Sequence, residues 1–106
     1  MPSNDLFAVL ANPVRRRILE LLLKRPLAAS ALAEEFAQHR PAVSEHLQVL
    51  RKARLVRCER LGRERRYFLE PARLAPVQAW LAPFEHYWRV RIKSLEDILD
   101  EEKKHG

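Results

Sequence analysis

The chain has 106 residues, 47% of them apolar, and a formal net charge of +6. That length holds one domain with a small core, and chains this short often supplement the core by oligomerising. No apolar run approaches the roughly 20 residues of a membrane span, the N-terminus lacks the basic start and apolar stretch of a signal peptide, and the single cysteine, Cys58, excludes an internal disulfide framework; a cytoplasmic protein is expected.

Ser3-Asn4-Asp5 can cap a short helix running through Leu6, Phe7, Val9 and Leu10. Asn12-Pro13 starts a second, with Asn at the N-cap and Pro at the first helical position. Val14, Ile18, Leu21 and Leu22 recur at helical spacing, and Arg15, Arg16 and Arg17 take other faces. Arg25-Pro26 ends that helix. Leu32, Ala33 and Phe36 mark a third, from about 29 to 37. His39-Arg40-Pro41 opens a fourth, whose inner stripe is Val43, Leu47 and Leu50. His46 borders that stripe and is a packing residue sooner than a base reader.

From Leu55 the period changes to two. Residues 55–60 and 65–69 are expected as strands, joined at Leu61-Gly62-Arg63-Glu64 by the only internal glycine. After Pro71 a long helical pattern begins. Val77, Leu81, Phe84, Trp88, Ile92, Leu95 and Leu99 stand 4, 3, 4, 4, 3 and 4 apart, close to a heptad seam. Pro83 lies inside it and should kink or split the helix. The polar tail from Asp100 is expected to fray. Four helices, a hairpin and a last helix make a mainly α fold, a winged helix-turn-helix in the order α-α-α-α-β-β-α.

The positive charge is concentrated. Residues 40–66 hold nine Lys/Arg against three Glu, an excess equal to that of the whole chain. A polyanion is therefore the expected partner, and this stretch is the part that would meet it. There is no Ser/His/Asp or Cys/His constellation, no glycine-rich phosphate loop and no metal-ligand cluster, so an enzyme is not expected.

Three blocks resemble one family. Residues 10–22, LANPVRRRILELL, look like the second-helix signature of the ArsR/SmtB bacterial transcriptional regulators. Residues 40–50, RPAVSEHLQVL, resemble the family's recognition helix. Ala53-Arg54-Leu55-Val56, then Gly62-Arg63 and Tyr67-Phe68-Leu69, resemble its wing. The resemblance covers roughly residues 4–100 and implies a homodimer that represses from an operator overlapping a promoter. Family members often carry Ser or Thr where this chain has Ala28 and His39, so two helix caps are missing here, each worth typically about 1 kcal/mol. Glu45 stands where Gln is common.

The resemblance thus implies a single domain over 1–106, with a DNA-binding core at about 12–70 and a dimerisation helix at about 75–100. Double-stranded DNA and a second copy are the expected partners, with no membrane. The outward positions of the fourth helix are Arg40, Pro41, Ala42, Ser44, Glu45 and Gln48. Gln48 can pair with adenine, Arg40 with guanine or a phosphate, Ala42 with a thymine methyl, and Glu45 with the cytosine amino group. Arg60, Arg63, Arg65 and Arg66 flank the hairpin turn, in reach of phosphates or the minor groove. Leu6 and the Val77-to-Leu99 seam are expected to form the dimer.

Many relatives sense metals through third-helix cysteines, and residues 29–37 contain neither Cys nor His. Glu85, His86, Asp97 and Asp100 only loosely match a second family site, so no metal or other cofactor is expected. Cys58, beside Arg57 and Arg60, is open to two readings, a redox sensor or a half-buried structural thiol. A metal- or redox-responsive repressor and a winged-helix protein-interaction module are the alternatives.

Overall fold

The computed structural model describes residues 5–36 and 40–105, the side chains of Arg40 and of 103–105 excepted. His39, the expected start of the fourth helix, lies outside the described residues. The chain divides into two compact units, 1–76 and 77–106.

The first unit begins with α1 (Leu6–Leu10), capped by Asp5, whose carboxylate accepts from the Phe7 and Ala8 amides at 3.0 and 3.3 Å. Five residues are too few for a helix to persist alone. Two arginines of α2 (Pro13–Lys24) hold it. Arg15 donates to the Val9 carbonyl and Arg16 to those of Leu10 and Ala11. They thus satisfy acceptors that a helix C-terminus leaves open. Asn12 caps α2 as expected, accepting from the Val14 and Arg15 amides. The buried face of α2 is Ile18, Leu19, Leu21 and Leu22.

Leu27 and Ala28 form a strand, β1, that the sequence pattern did not predict. Two residues carry no readable period; only pairing with a distant segment makes them a strand. This pairing also answers the missing cap of α3 (Ala29–Glu35). Ala28 has no side-chain cap bond, but it is buried and pairs with Arg66 in the sheet. The start of α3 is thereby fixed by the sheet. Helix α4 follows (Arg40–Lys52), then β2 (Val56–Leu61), β3 (Glu64–Leu69) and a 3-10 turn at Pro71–Leu74. The antiparallel sheet has the order β1-β3-β2, so the expected hairpin is part of a three-stranded sheet.

Helix α4 ends in a Schellman motif. The Leu55 amide donates to the Leu50 carbonyl at 3.0 Å and the Arg54 amide to that of Arg51 at 2.9 Å. Arg54 occupies the left-handed position, φ +64°, where glycine is usual. Leu55 is then driven into the core, and the Glu70 amide bonds its carbonyl at 2.8 Å, closing the base of the hairpin. At the other end Leu61 opposes Glu64 across a two-residue turn, Gly62-Arg63. Gly62 has φ +67° and Arg63 a negative φ, the signs of a type II′ turn, which demands glycine first. Ile18, Leu32, Val43, Leu50 and Leu55 are the fully buried centre of the core.

The second unit belongs to α5 (Ala75–His105), which runs unbroken through Pro83 and past Asp100. The helix is not split at Pro83, and it is helical as far as His105. A proline removes one backbone donor, and a 31-residue helix has enough other bonds to continue through it.

Candidate nucleic-acid interface

The two faces of α4 differ sharply. Val43 and Leu50 are 1% and 0% exposed, and Leu47 is buried with them. Pro41, Ser44, Glu45 and Gln48 are exposed, and Ala42 is half-buried. Their spacing places them along one stripe of the helix. The Arg40 side chain lies outside the described residues. A rigid helix with short and hydrogen-bonding side chains on its outer stripe can enter a major groove.

Its orientation depends on Arg15, a residue on a face of α2 away from that helix's apolar stripe. The Arg15 guanidinium donates through Nε to His46 Nδ1 at 3.2 Å, and through a terminal nitrogen to the Val9 carbonyl. Arg15 therefore ties α1, α2 and α4 together. His46 is half-buried in this contact. Burial, and then the Arg15 charge, hold its pKa below the ordinary value, opposed by Glu45. As an acceptor at Nδ1 it is neutral, and it positions the helix.

The hairpin register separates the four expected wing arginines. Arg60 opposes Arg65 on the face that carries Val56, Cys58, Tyr67 and Leu69 toward the core. Arg66 lies on the other face, where its guanidinium is bound to Glu64, with Nε at 3.0 Å. Arg57 on that face pairs with Glu59 and Glu70 and stacks 4.3 Å above the Phe68 ring. One face of the wing is thus largely neutralised. Among the described residues Arg60, Arg63 and Arg65 have no carboxylate partner, and they gather at and beside the tip. Strand alternation was available in the sequence; the register that assigns each arginine to a face was not.

Cys58 is half-buried opposite Tyr67. Burial, followed by the neighbouring thiol, pushes the Tyr67 phenol up. Among the described residues no three His, Cys, Asp or Glu side chains come together as a metal ion would need. Glu85 instead pairs with Arg89 one turn along α5. No helix among the described residues is long and apolar enough to cross a membrane.

The expected dimer residues divide as well. Leu6 packs against the core of its own chain, and the large exposed apolar residue of α1 is Phe7. On α5, Val77 and Leu81 are half-buried, whereas Phe84, Trp88, Ile92, Leu95 and Leu99 are exposed. Trp80, Tyr87, Val90 and Ile98 are exposed too. The rings of Trp80, Phe84 and Trp88 follow one another at 4.8 and 6.4 Å between centroids.

Comparison with known proteins agrees with this geometry. Residues 10–59, from the end of α1 into β2, match the family model of a helix-turn-helix domain. The chain is 40% identical over 94 residues to the HTH-type transcriptional regulator Rv2034 of Mycobacterium tuberculosis, covering 88% of this chain and 84% of that one. It is 32% identical over 81 residues to the transcriptional repressor SdpR of Bacillus subtilis, covering 76% and 90%. A crystal structure of an ArsR family transcriptional regulator superposes with a TM-score of 0.66 at 32% identity, covering 78% of this chain and 86% of the other. The outward stripe of α4, the cationic wing tip and these similarities lead to one assignment: the chain belongs to the ArsR/SmtB family of winged helix-turn-helix transcriptional regulators.

Proposed function

We propose that this chain is a homodimeric, sequence-specific DNA-binding repressor, with its reading surface within residues 12–70 and its dimer helix at about 75–100. The observation that carries the reading is the outer stripe of α4. Pro41, Ala42, Ser44, Glu45 and Gln48 stand on a helix whose opposite face is locked in the core, and the wing tip adds arginines that have no carboxylate partner among the described residues. In a major groove Gln48 pairs with adenine and Ser44 with either partner, Ala42 meets a thymine methyl, and Glu45 accepts from cytosine while repelling phosphates at wrong registers. Arg40 at the start of the helix serves guanine or a phosphate.

The wing supplies charge. Arg60, Arg63 and Arg65 are the phosphate or minor-groove contacts, and Arg66, engaged by Glu64, contributes less. Three phosphates neutralised per subunit give a dimer a log–log salt slope of roughly −5. The second copy docks along α5, since nine large apolar side chains exposed among the described residues are more than a monomer surface ordinarily tolerates.

Mobility shift and footprinting on the promoter of its own operon test the reading. A protected, two-fold symmetric site that survives competitor DNA is expected. Gln48→Ala should relax specificity, and Arg63→Ala should weaken binding almost evenly across sequences. Retention without any preference over competitor would reduce the protein to a nonspecific DNA binder. A salt slope near zero would remove the electrostatic part.

A further inference from the structure

A second group of cations lies at the other end of the wing, outside the surface described above. Helix α4, its Schellman turn and the 3-10 turn after β3 border an open cleft of about 470 Å³, lined by Arg51, Arg54, Arg57 and Arg73 with Val56, Cys58 and Glu70. A neighbouring cleft of about 450 Å³ shares Arg54 and Arg73 and adds Lys52. Glu70 offsets Arg57, which holds it at 2.9 Å, and so leaves the other three arginines. Arg51, Arg54 and Arg73 are exposed, and among the described residues none has a carboxylate partner. Cations gathered around one concavity repel one another until an anion enters.

We propose that this cleft binds a small polyanion bearing a phosphate or pyrophosphate group, with Arg51, Arg54 and Arg73 as its ligands. The guanidinium fork suits phosphate oxygens and presents several donors to one anion. The backbone supports the assignment independently. Arg54 sits at φ +64°, where glycine would cap α4 without strain, so the chain keeps an arginine side chain at a conformational cost at the one position common to both clefts beside Arg73. The frame is rigid: the Leu55 amide bonds the Leu50 carbonyl, the Glu70 amide that of Leu55, and the Arg73 amide that of Glu70.

The cleft is separate from the wing tip. Six residues of β2 span about 20 Å, with Val56 at the cleft end and Leu61 at the turn. It does adjoin the reading surface, since Arg51 and Gln48 line one shallow groove together. An anion bound there lies next to the C-terminal end of the recognition helix, the place for an effector to act.

The test is calorimetric titration of the full chain with inorganic pyrophosphate, alongside operator binding without it. Saturable binding of about one pyrophosphate per chain is expected, weakened about tenfold or more by Arg73→Ala and by Arg54→Gly. Arg54→Gly removes the cation at a position that favours glycine, so loss of fold cannot account for its effect. Operator affinity and salt slope of both variants, without pyrophosphate, should stay within about twofold of the parent. The absence of saturable binding, or binding indifferent to both substitutions, overturns the site. Unchanged pyrophosphate binding with a flatter salt slope would assign these arginines to the DNA backbone instead. Because operator binding is measured separately, failure of the anion site leaves the repressor reading standing.

Discussion

Helices α4 and α5 carry the same kind of apolar stripe and meet different fates. On α4 the stripe of Val43, Leu47 and Leu50 vanishes into the core of the first unit. On α5 the stripe from Phe84 to Leu99 stays open, with Trp88 49% and Leu95 57% exposed. Helical periodicity records that a face needs covering; it does not record what covers it. For α4 the cover is α2, α3 and β2 of the same chain. For α5 the proposed cover is a second copy, which would make its stripe an association surface where that of α4 is part of the fold.

The comparison breaks most clearly at the two stripes themselves. Leu50→Ala, at the fully buried centre, should cost roughly 2–5 kcal/mol in urea unfolding. Ile92→Glu combined with Leu95→Glu should leave the first unit folded and turn a sedimenting dimer into a monomer. Operator affinity should fall by about 100-fold or more as the two reading helices lose their linkage. If that double variant unfolds altogether, the α5 stripe belongs to its own chain and the contrast fails.

A smaller effect sharpens the α4 side. Arg54→Gly relieves the left-handed strain after α4 and should raise stability by about 1 kcal/mol, read as a higher urea midpoint at unchanged slope. The smallest concerns His46. Its folded pKa lies below the unfolded value of about 6.5, so the unfolded chain binds more protons as the pH falls through that region. Stability is therefore full above about pH 6.5 and declines on acidification toward the folded pKa, and His46→Gln should flatten that decline. Protonation also turns the acceptor at Nδ1 into a second cation beside Arg15 and loosens α4 on α2. A decline of equal size in the variant would place its origin elsewhere.

Much of the architecture was legible in short-range signals. Asn12-Pro13 announced α2, Gly62 announced the turn, and the stripe of α4 separated its inner face from its outer face. These signals are local, acting within one helical turn or one hairpin. What escaped was non-local. Strand β1 exists only through pairing with Tyr67 and Arg66. Arg15 reaches His46 31 positions along the chain, a contact no spacing rule announces. The wing arginines look equivalent as letters; the register sets Arg60 opposite Arg65, and among the described residues these two and Arg63 have no carboxylate partner. Pro83, a local breaker, does not end α5, because it competes with the cooperativity of the whole helix.

Periodicity, caps and turn chemistry are enough to order the helices and the hairpin, to pick out most of the core of the first unit and to name the positions of α4 that face outward, but not to find β1. Tertiary structure decided which cations remain available. Glu59 and Glu64, each two residues from its arginine on the same strand, together with Glu70 from the far side of the hairpin, neutralise one face of the wing, and the turn after α4 brings Arg51 and Arg54 beside Arg73. Charge composition is a property of the chain, but an uncompensated charge is a property of neighbours, and neighbours distant in sequence are set only when the chain folds.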